Sequence, residues 1–247
     1  MTRLIAVASG KGGVGKTFVS IALAQALAER GRRVLLADGD LGLANVDLQL
    51  GLDPALDLGA VLAGRATLAQ ASVAHAAGFA VLPGRSGSGG LAELGEAGVA
   101  RFLALLRTAA ADEVVLDLGA GIGPAQRRLA AAADVLLVLV NEEPTSLTDA
   151  YAVLKLHARD APLGRALVVA NNVADEAAGR RAHAALDRAC RGFLGRGCAW
   201  LGTVRRDPKV PAAIRAQVPL LTRHPGSPAA SDVRALALAL LTAEVPA

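Results

Sequence analysis

Leu4-Ile5-Ala6-Val7-Ala8-Ser9-Gly10-Lys11-Gly12-Gly13-Val14-Gly15-Lys16-Thr17 decides the fold. Its first five residues form a short apolar run bounded by Ser9-Gly10, which reads as a buried strand. Gly10 to Thr17 completes the G-x-x-x-x-G-K-[ST] pattern of a phosphate-binding loop. Val19 to Ala28 then reads as a helix, stopped by Arg30-Gly31. Strand, glycine-rich turn and helix N-terminus form the geometry in which backbone N–H groups and the helix dipole hold phosphate oxygens. Gly12, Gly13, Val14, Gly15, Lys16, Thr17 and Phe18 are therefore the candidate nucleotide contacts. Lys16 is expected against the β- and γ-phosphates of ATP, and the Thr17 hydroxyl on Mg²⁺.

Downstream, further strand candidates alternate with Ala-, Leu- and Arg-rich segments at helical spacing. They are Val34–Asp38, Phe79–Pro83, Val114–Leu118, Val135–Val140, Ala166–Ala170 and Ala199–Val204. This alternation predicts an α/β fold: a three-layer, doubly wound, mostly parallel sheet with helices on both faces, carrying a P-loop NTPase site. Val135-Leu136-Leu137-Val138-Leu139-Val140 is apolar throughout, as a strand covered on both faces must be. A single domain over residues 1–247 accommodates the length. Arg85-Ser86-Gly87-Ser88-Gly89-Gly90 resembles a second phosphate loop, but no strand–loop–helix lysine follows it, so a surface loop is expected.

Composition narrows the class. No apolar run reaches the roughly 18 residues of a membrane span, and the N-terminal apolar stretch is too short for a signal peptide. Cys190 and Cys198 are too few for a disulfide framework and suggest a reducing compartment. A cytoplasmic protein is expected. The net charge of +4 is uneven: residues 1–150 carry 12 Lys and Arg against 15 Asp and Glu, whereas residues 151–247 carry 14 against 7. A basic C-terminal half is compatible with non-specific DNA binding or a solvated arginine surface. Aromatic residues make up 2% of the chain, too few for base-stacking recognition of single strands.

Three aspartates fall at strand ends, on the side of the sheet where ligands bind in such folds. Asp38 and Asp40 close the second strand. Asp117 follows Val114-Val115-Leu116, the hydrophobic-strand-then-Asp arrangement of a Walker B carboxylate. Thr17, Asp38, Asp40 and Asp117 are the candidate metal-organising set, with Asp40 placed to orient or deprotonate an attacking water. Phosphoryl transfer requires mainly positioning and charge neutralisation, which such a set supplies.

Lysine occurs only at positions 11, 16, 155 and 209. Lys11 lies at the start of the loop, away from the helix end that carries Lys16. It is expected to point away from its own phosphates, toward a nucleotide across a subunit interface, as a lysine counterpart of an arginine finger. Lys11, Lys16 and Asp40 are the candidate catalytic residues, and the assembly expected is an ATP-dependent homodimer that dissociates on hydrolysis.

Gly10 to Thr17 with Lys11 resembles the deviant Walker A loop of the MinD/ParA ATPases. Asp38-Gly39-Asp40-Leu41-Gly42-Leu43-Ala44-Asn45-Val46-Asp47 is similar to the MinD branch of that family. Asp117-Leu118-Gly119-Ala120-Gly121-Ile122 and Glu143 through Ala152 resemble the FlhG/FleN flagellar-number regulators, where MinD usually has proline in place of Gly119. The resemblance implies that Asn171 or Asn172 reads adenine with its amide and that Asp207 lies near the base or ribose. It also implies protein partners, such as an FlhF-like GTPase or flagellar basal-body and regulatory proteins. The chain departs from the pattern at Gly39, where alanine or a bulkier residue is usual, and at Phe18, where a small polar residue is common. It carries no Lys or Arg after Arg234, so its last helix is expected to pack on the protein rather than bind membrane, and it starts directly at the first strand.

The function expected is an ATP-binding, slowly hydrolysing dimerisation switch that sets flagellar number or placement. A ParA-type DNA-partition ATPase and a MinD-type septum-site ATPase are the alternatives. An iron–sulfur reductase shares the two-lysine loop but needs cluster cysteines near the nucleotide, and both cysteines here lie near the C-terminus.

Overall fold

The computed structural model describes residues 2–40, 44–84 and 95–242. Eight strands form one sheet in the order β3-β4-β2-β5-β1-β6-β7-β8. These are β1 Arg3–Ala8, β2 Val34–Gly39, β3 Val73–Ala74, β4 Ala80–Leu82, β5 Glu113–Leu118, β6 Val135–Val140, β7 Ala166–Val173 and β8 Ala199–Arg205. All pairings are parallel except that of β3, which runs antiparallel to β4 through Val73 opposite Val81. β3 was not expected from the sequence, because two residues are too few to show a period.

Side chains alternate across the sheet and feed two cores. Leu136, Val138 and Val140 enter one, while Val135, Leu137 and Leu139 enter the other. The first core is covered by α3 (Leu58–Leu62), α4 (Leu68–Ala71), α5 (Gly95–Arg107), α6 (Pro124–Ala132), α7 (Pro144–Asp160) and α8 (Glu176–Leu194). On the second lie α1 (Lys16–Ala28), α2 (Val46–Leu50), α9 (Lys209–Arg215), α10 (Leu220–Arg223) and α11 (Pro228–Thr242). This is the doubly wound architecture expected, with helices on both faces.

α1 is apolar on nearly all sides because it is covered on nearly all sides. It lies on the sheet and is overlain by α11, which buries Ala229, Ala230, Val233, Leu236, Ala237 and Leu240. The two guanidinium ends of Arg3 both donate to the Leu240 carbonyl at 3.0 Å, and Arg234 pairs with Glu29 at 2.7 Å. The last helix is thus part of the packed structure, as the absence of Lys and Arg after Arg234 implied. Among the described residues no helix is long and apolar enough to cross a membrane. The Arg85–Gly90 segment, residues 41–43 and residues 243–247 lie outside the described residues.

Candidate functional site

β1 is flanked by β5 and β6 at the centre of the sheet, so its C-terminal end opens where the chain can run to either side. Ligands bind at such a switch point. The loop leaving it reaches α1 through Gly13 at φ 78° and Gly15 at φ 93°, a backbone that residues with a Cβ adopt only under strain. Gly15 precedes the helix and offers no side chain to its first N–H groups, so this helix end has no side-chain cap. The helix begins at Lys16 rather than Val19, because the loop's last residues already take helical geometry.

Lys16 is buried and donates to Ser9 Oγ at 3.1 Å, and Ser9 in turn donates to the Lys11 carbonyl at 2.6 Å. Burial lowers the Lys16 pKa, while Asp117 and Asp40 act to keep the ammonium charged. Thr17 and Ser20 both hydrogen-bond Asp117, Ser20 at 3.0 Å. Ser20 is one turn beyond Thr17 and was not singled out from sequence. Phe18 turns its ring into the second core, leaving only its backbone on the loop side.

The carboxylates come together as the strand ends suggested. Asp38 and Asp117 are register partners on β2 and β5, and both are almost fully buried. Asp38 accepts from the backbone of Asp40 at 2.9 Å, Asn45 at 3.0 Å and Val46 at 3.1 Å, so it holds the loop after β2. Burial, reinforced by Asp117, pushes Asp38 up to about 7 despite those bonds. Burial likewise pushes Asp117 up to about 6. Asp40 lies within electrostatic reach of Lys16 and Asp117. A Cβ at Gly119 would stand 3.1–3.3 Å from its carboxyl group, so glycine here leaves Asp40 its room. A Cβ at Gly39 would lie 2.9 Å from the Asp117 carbonyl, which accounts for the absence of the usual larger residue.

Lys11, its side chain partly exposed, forms an ion pair with Glu143, the residue before α7. It also donates to Thr145 Oγ1 at 3.3 Å. Neither partner was anticipated, since the contact joins residues more than a hundred positions apart.

Asn171 and Asn172 lie just before the last residue of β7 and differ sharply. Asn171 is buried, and its amide donates to the Val14 carbonyl at 2.6 Å, bracing the phosphate loop. Asn172 is exposed at φ 57°, where the β7–β8 register shifts. Asp207 accepts from Lys209 N at 2.9 Å and Ala229 N at 3.2 Å and bonds Ser227, tying the start of α9 to the start of α11.

Comparison with known proteins agrees with this geometry. The CobQ/CobB/MinD/ParA nucleotide binding domain matches residues 5–220. Antiactivator FleN of Pseudomonas aeruginosa is 38% identical over 237 residues, covering 95% of this chain and 85% of that protein. Flagellum site-determining protein YlxH of Helicobacter pylori is 33% identical over 183 residues, covering 72% of this chain and 61% of that one. The septum site-determining protein MinD of Pyrococcus horikoshii, complexed with Mg-ADP, matches with a TM-score of 0.82 at 26% identity, covering 98% of this chain and 97% of that one. With a phosphate loop on the central strand and a matching domain over most of its length, the chain belongs to the CobQ/CobB/MinD/ParA family of nucleotide-binding proteins and is similar within it to the antiactivator FleN and the flagellum site-determining protein YlxH.

Proposed function

We propose that this protein is an ATP-hydrolysing dimerisation switch that regulates flagellar number or placement. The observation that carries the reading is the 38% identity to FleN across 95% of the chain, in a chain that carries a complete phosphate loop.

The residues fit Mg²⁺ and ATP. The α1 N-terminus has no side-chain cap, and Lys16 is held beside it. Two buried carboxyls, Asp38 and Asp117, both titrate well above the usual carboxylate range, a situation that a divalent cation relieves. Thr17 and Asp117 would hold Mg²⁺, directly or through its waters, with Asp38 fixing the loop that carries Asp40. When bound, the cation supplies charge neutralisation on the phosphates. Lys16 and the loop N–H groups orient the γ-phosphate, and Asp40 orients the attacking water and takes up its proton. Lys11 supplies positive charge to the nucleotide of a second copy, which makes the dimer depend on ATP. Of the two asparagines, Asn172 is the one whose amide faces solvent at the strand end and is assigned to adenine, while Asn171 braces the loop.

Light scattering tests the switch: Asp40→Ala with ATP is expected as a dimer and Lys11→Ala as a monomer, and a monomeric Asp40→Ala sinks the trans role of Lys11. The biological role is tested by expressing the protein in Pseudomonas aeruginosa lacking FleN and counting flagella. Restored counts support a flagellar role. Unchanged counts, together with ATP-dependent DNA retention that weakens steeply with salt, favour partition instead.

A further inference from the structure

We propose that Cys190, Cys198, His183 and Asp187 form a structural zinc site at the end of the sheet opposite the phosphate loop. His183, Asp187 and Cys190 share one face of α8, at spacings of four and three residues. Cys198 precedes β8, and the turn between them folds it back onto that face. One donor atom each from His183, Asp187 and Cys198 lie within 4.8 Å of one another. The fourth donor stands beside that triangle: the Cys190 thiol, on the same helix face, is close enough to the Cys198 thiol to interact with it. Both cysteines also line a cavity of about 250 Å³ that gives an ion a way in.

Zinc takes thiolate, imidazole and carboxylate ligands, four in all at a structural site, and this set supplies two sulfurs, one imidazole and one carboxylate. Tetrahedral bonds of about 2.0–2.3 Å place donors roughly 3.3–3.8 Å apart, so the His183, Asp187 and Cys198 donors need to close by roughly 1 Å, and the Cys190 thiol must turn in to complete the shell. The local bonding is already that of a supported ligand shell. The His183 ring is held by Nε2 against the Cys198 carbonyl at 2.8 Å. Asp187 accepts from Cys198 N at 2.8 Å and from Arg191 Nε at 2.7 Å, and a carboxylate has lone pairs beyond those two. On binding, each thiol loses its proton to solvent, so one Zn²⁺ enters as two protons leave. Two thiolates, one carboxylate and Zn²⁺ sum to a single negative charge, which Arg191 balances.

A redox switch is the weaker use of the same pair. Burial pushes the Cys198 thiol up to about 12, and a thiol that resists ionisation is a poor nucleophile for disulfide exchange. A cation reverses that preference by binding the thiolate.

The test uses the full chain, stripped of metal by chelator and kept reduced, titrated with Co²⁺. One Co²⁺ per chain, with tetrahedral visible bands, a near-ultraviolet thiolate-to-metal band and displacement by Zn²⁺, is the expected result. Cys190→Ser and Cys198→Ser each remove much of the thiolate band. His183→Gln and Asp187→Asn, which leave the thiols in place, weaken Co²⁺ by about tenfold or more. A six-coordinate spectrum without the thiolate band overturns the site, as does wild-type affinity in both His183→Gln and Asp187→Asn. ATP hydrolysis by the stripped protein stays unchanged, since the site lies at the far end of β8 from the nucleotide.

Discussion

Lys11 and Glu143 are ion-paired within a single chain, one on the phosphate loop and the other at the foot of α7. A lysine that completes the nucleotide site of a second copy must first leave this partner. Glu143→Gln is therefore expected to strengthen the ATP-dependent dimer by a few-fold, the size appropriate to an exposed pair. Sedimentation equilibrium over a protein dilution series measures it. A weaker dimer would mean that Glu143 works across the interface rather than against it.

The buried Asp38–Asp117 pair sets a pH dependence. Both carboxyls titrate higher in the folded protein than unfolded, at about 7 and about 6, so the folded state binds protons that the unfolded chain has released. Stability of the nucleotide-free protein is thus expected to fall as pH rises from about 4 to about 7 and to level off above. Mg²⁺ with nucleotide needs the ionised pair, so its stabilising effect grows over the same window. Melting temperatures with and without Mg-ADP at pH 5.5 and 8 should diverge, and a constant difference would count against Asp117 as the cation's carboxylate.

Gly39→Ala drives a methyl group to within 2.9 Å of the Asp117 carbonyl and 3.0 Å of Leu116 Cδ1. Overpacking of this kind costs about 1–3 kcal/mol. Because the strain falls between the two aspartates, Mg-nucleotide affinity is expected to drop as well. Gly12→Ala, which meets nothing within 4 Å, should leave urea stability within about 0.5 kcal/mol of the parent. Equal losses in the two variants would refute the packing account.

Asn171 and Asn172 can be separated experimentally. Asn171→Ala strands the Val14 carbonyl, a loss of about 1–3 kcal/mol for a buried group, and loosens the phosphate loop. Asn172→Gly keeps stability or raises it slightly, because φ 57° suits glycine. It is nonetheless expected to weaken ATP binding and to blunt discrimination against GTP. Calorimetry with both nucleotides decides whether its amide reads the base.

The phosphate loop was legible because its residues are contiguous and each has a local reason to be there. Strands were legible where both faces are covered, as in Val135–Val140, since six consecutive apolar residues, half of them β-branched, suit a strand buried on both sides. What escaped notice depends on distant parts of the chain meeting. The bond from Asn171 to the Val14 carbonyl and the hold of Asp207 on the starts of two helices could not be read from the residues alone. Ser20 and Glu143 acquire meaning only from Asp117 and Lys11. The short helices α2, α3 and α4 are each five residues or fewer, and periodicity has nothing to act on at that length.

The place of β1 also governs how the protein is made. β1 is synthesised first, yet its partners are Glu113–Asp117 on one side and Val135–Val138 on the other. The phosphate loop therefore has no neighbouring strand to stand on until Glu113–Leu118 has left the ribosome. Its helix gains its outer cover only with α11, more than two hundred residues further along the chain. Such long-range closure is slow and leaves apolar surface open to misassociation. Synthesis arrested before β5 would yield a nascent chain with the complete nucleotide motif in its sequence and no nucleotide site in space.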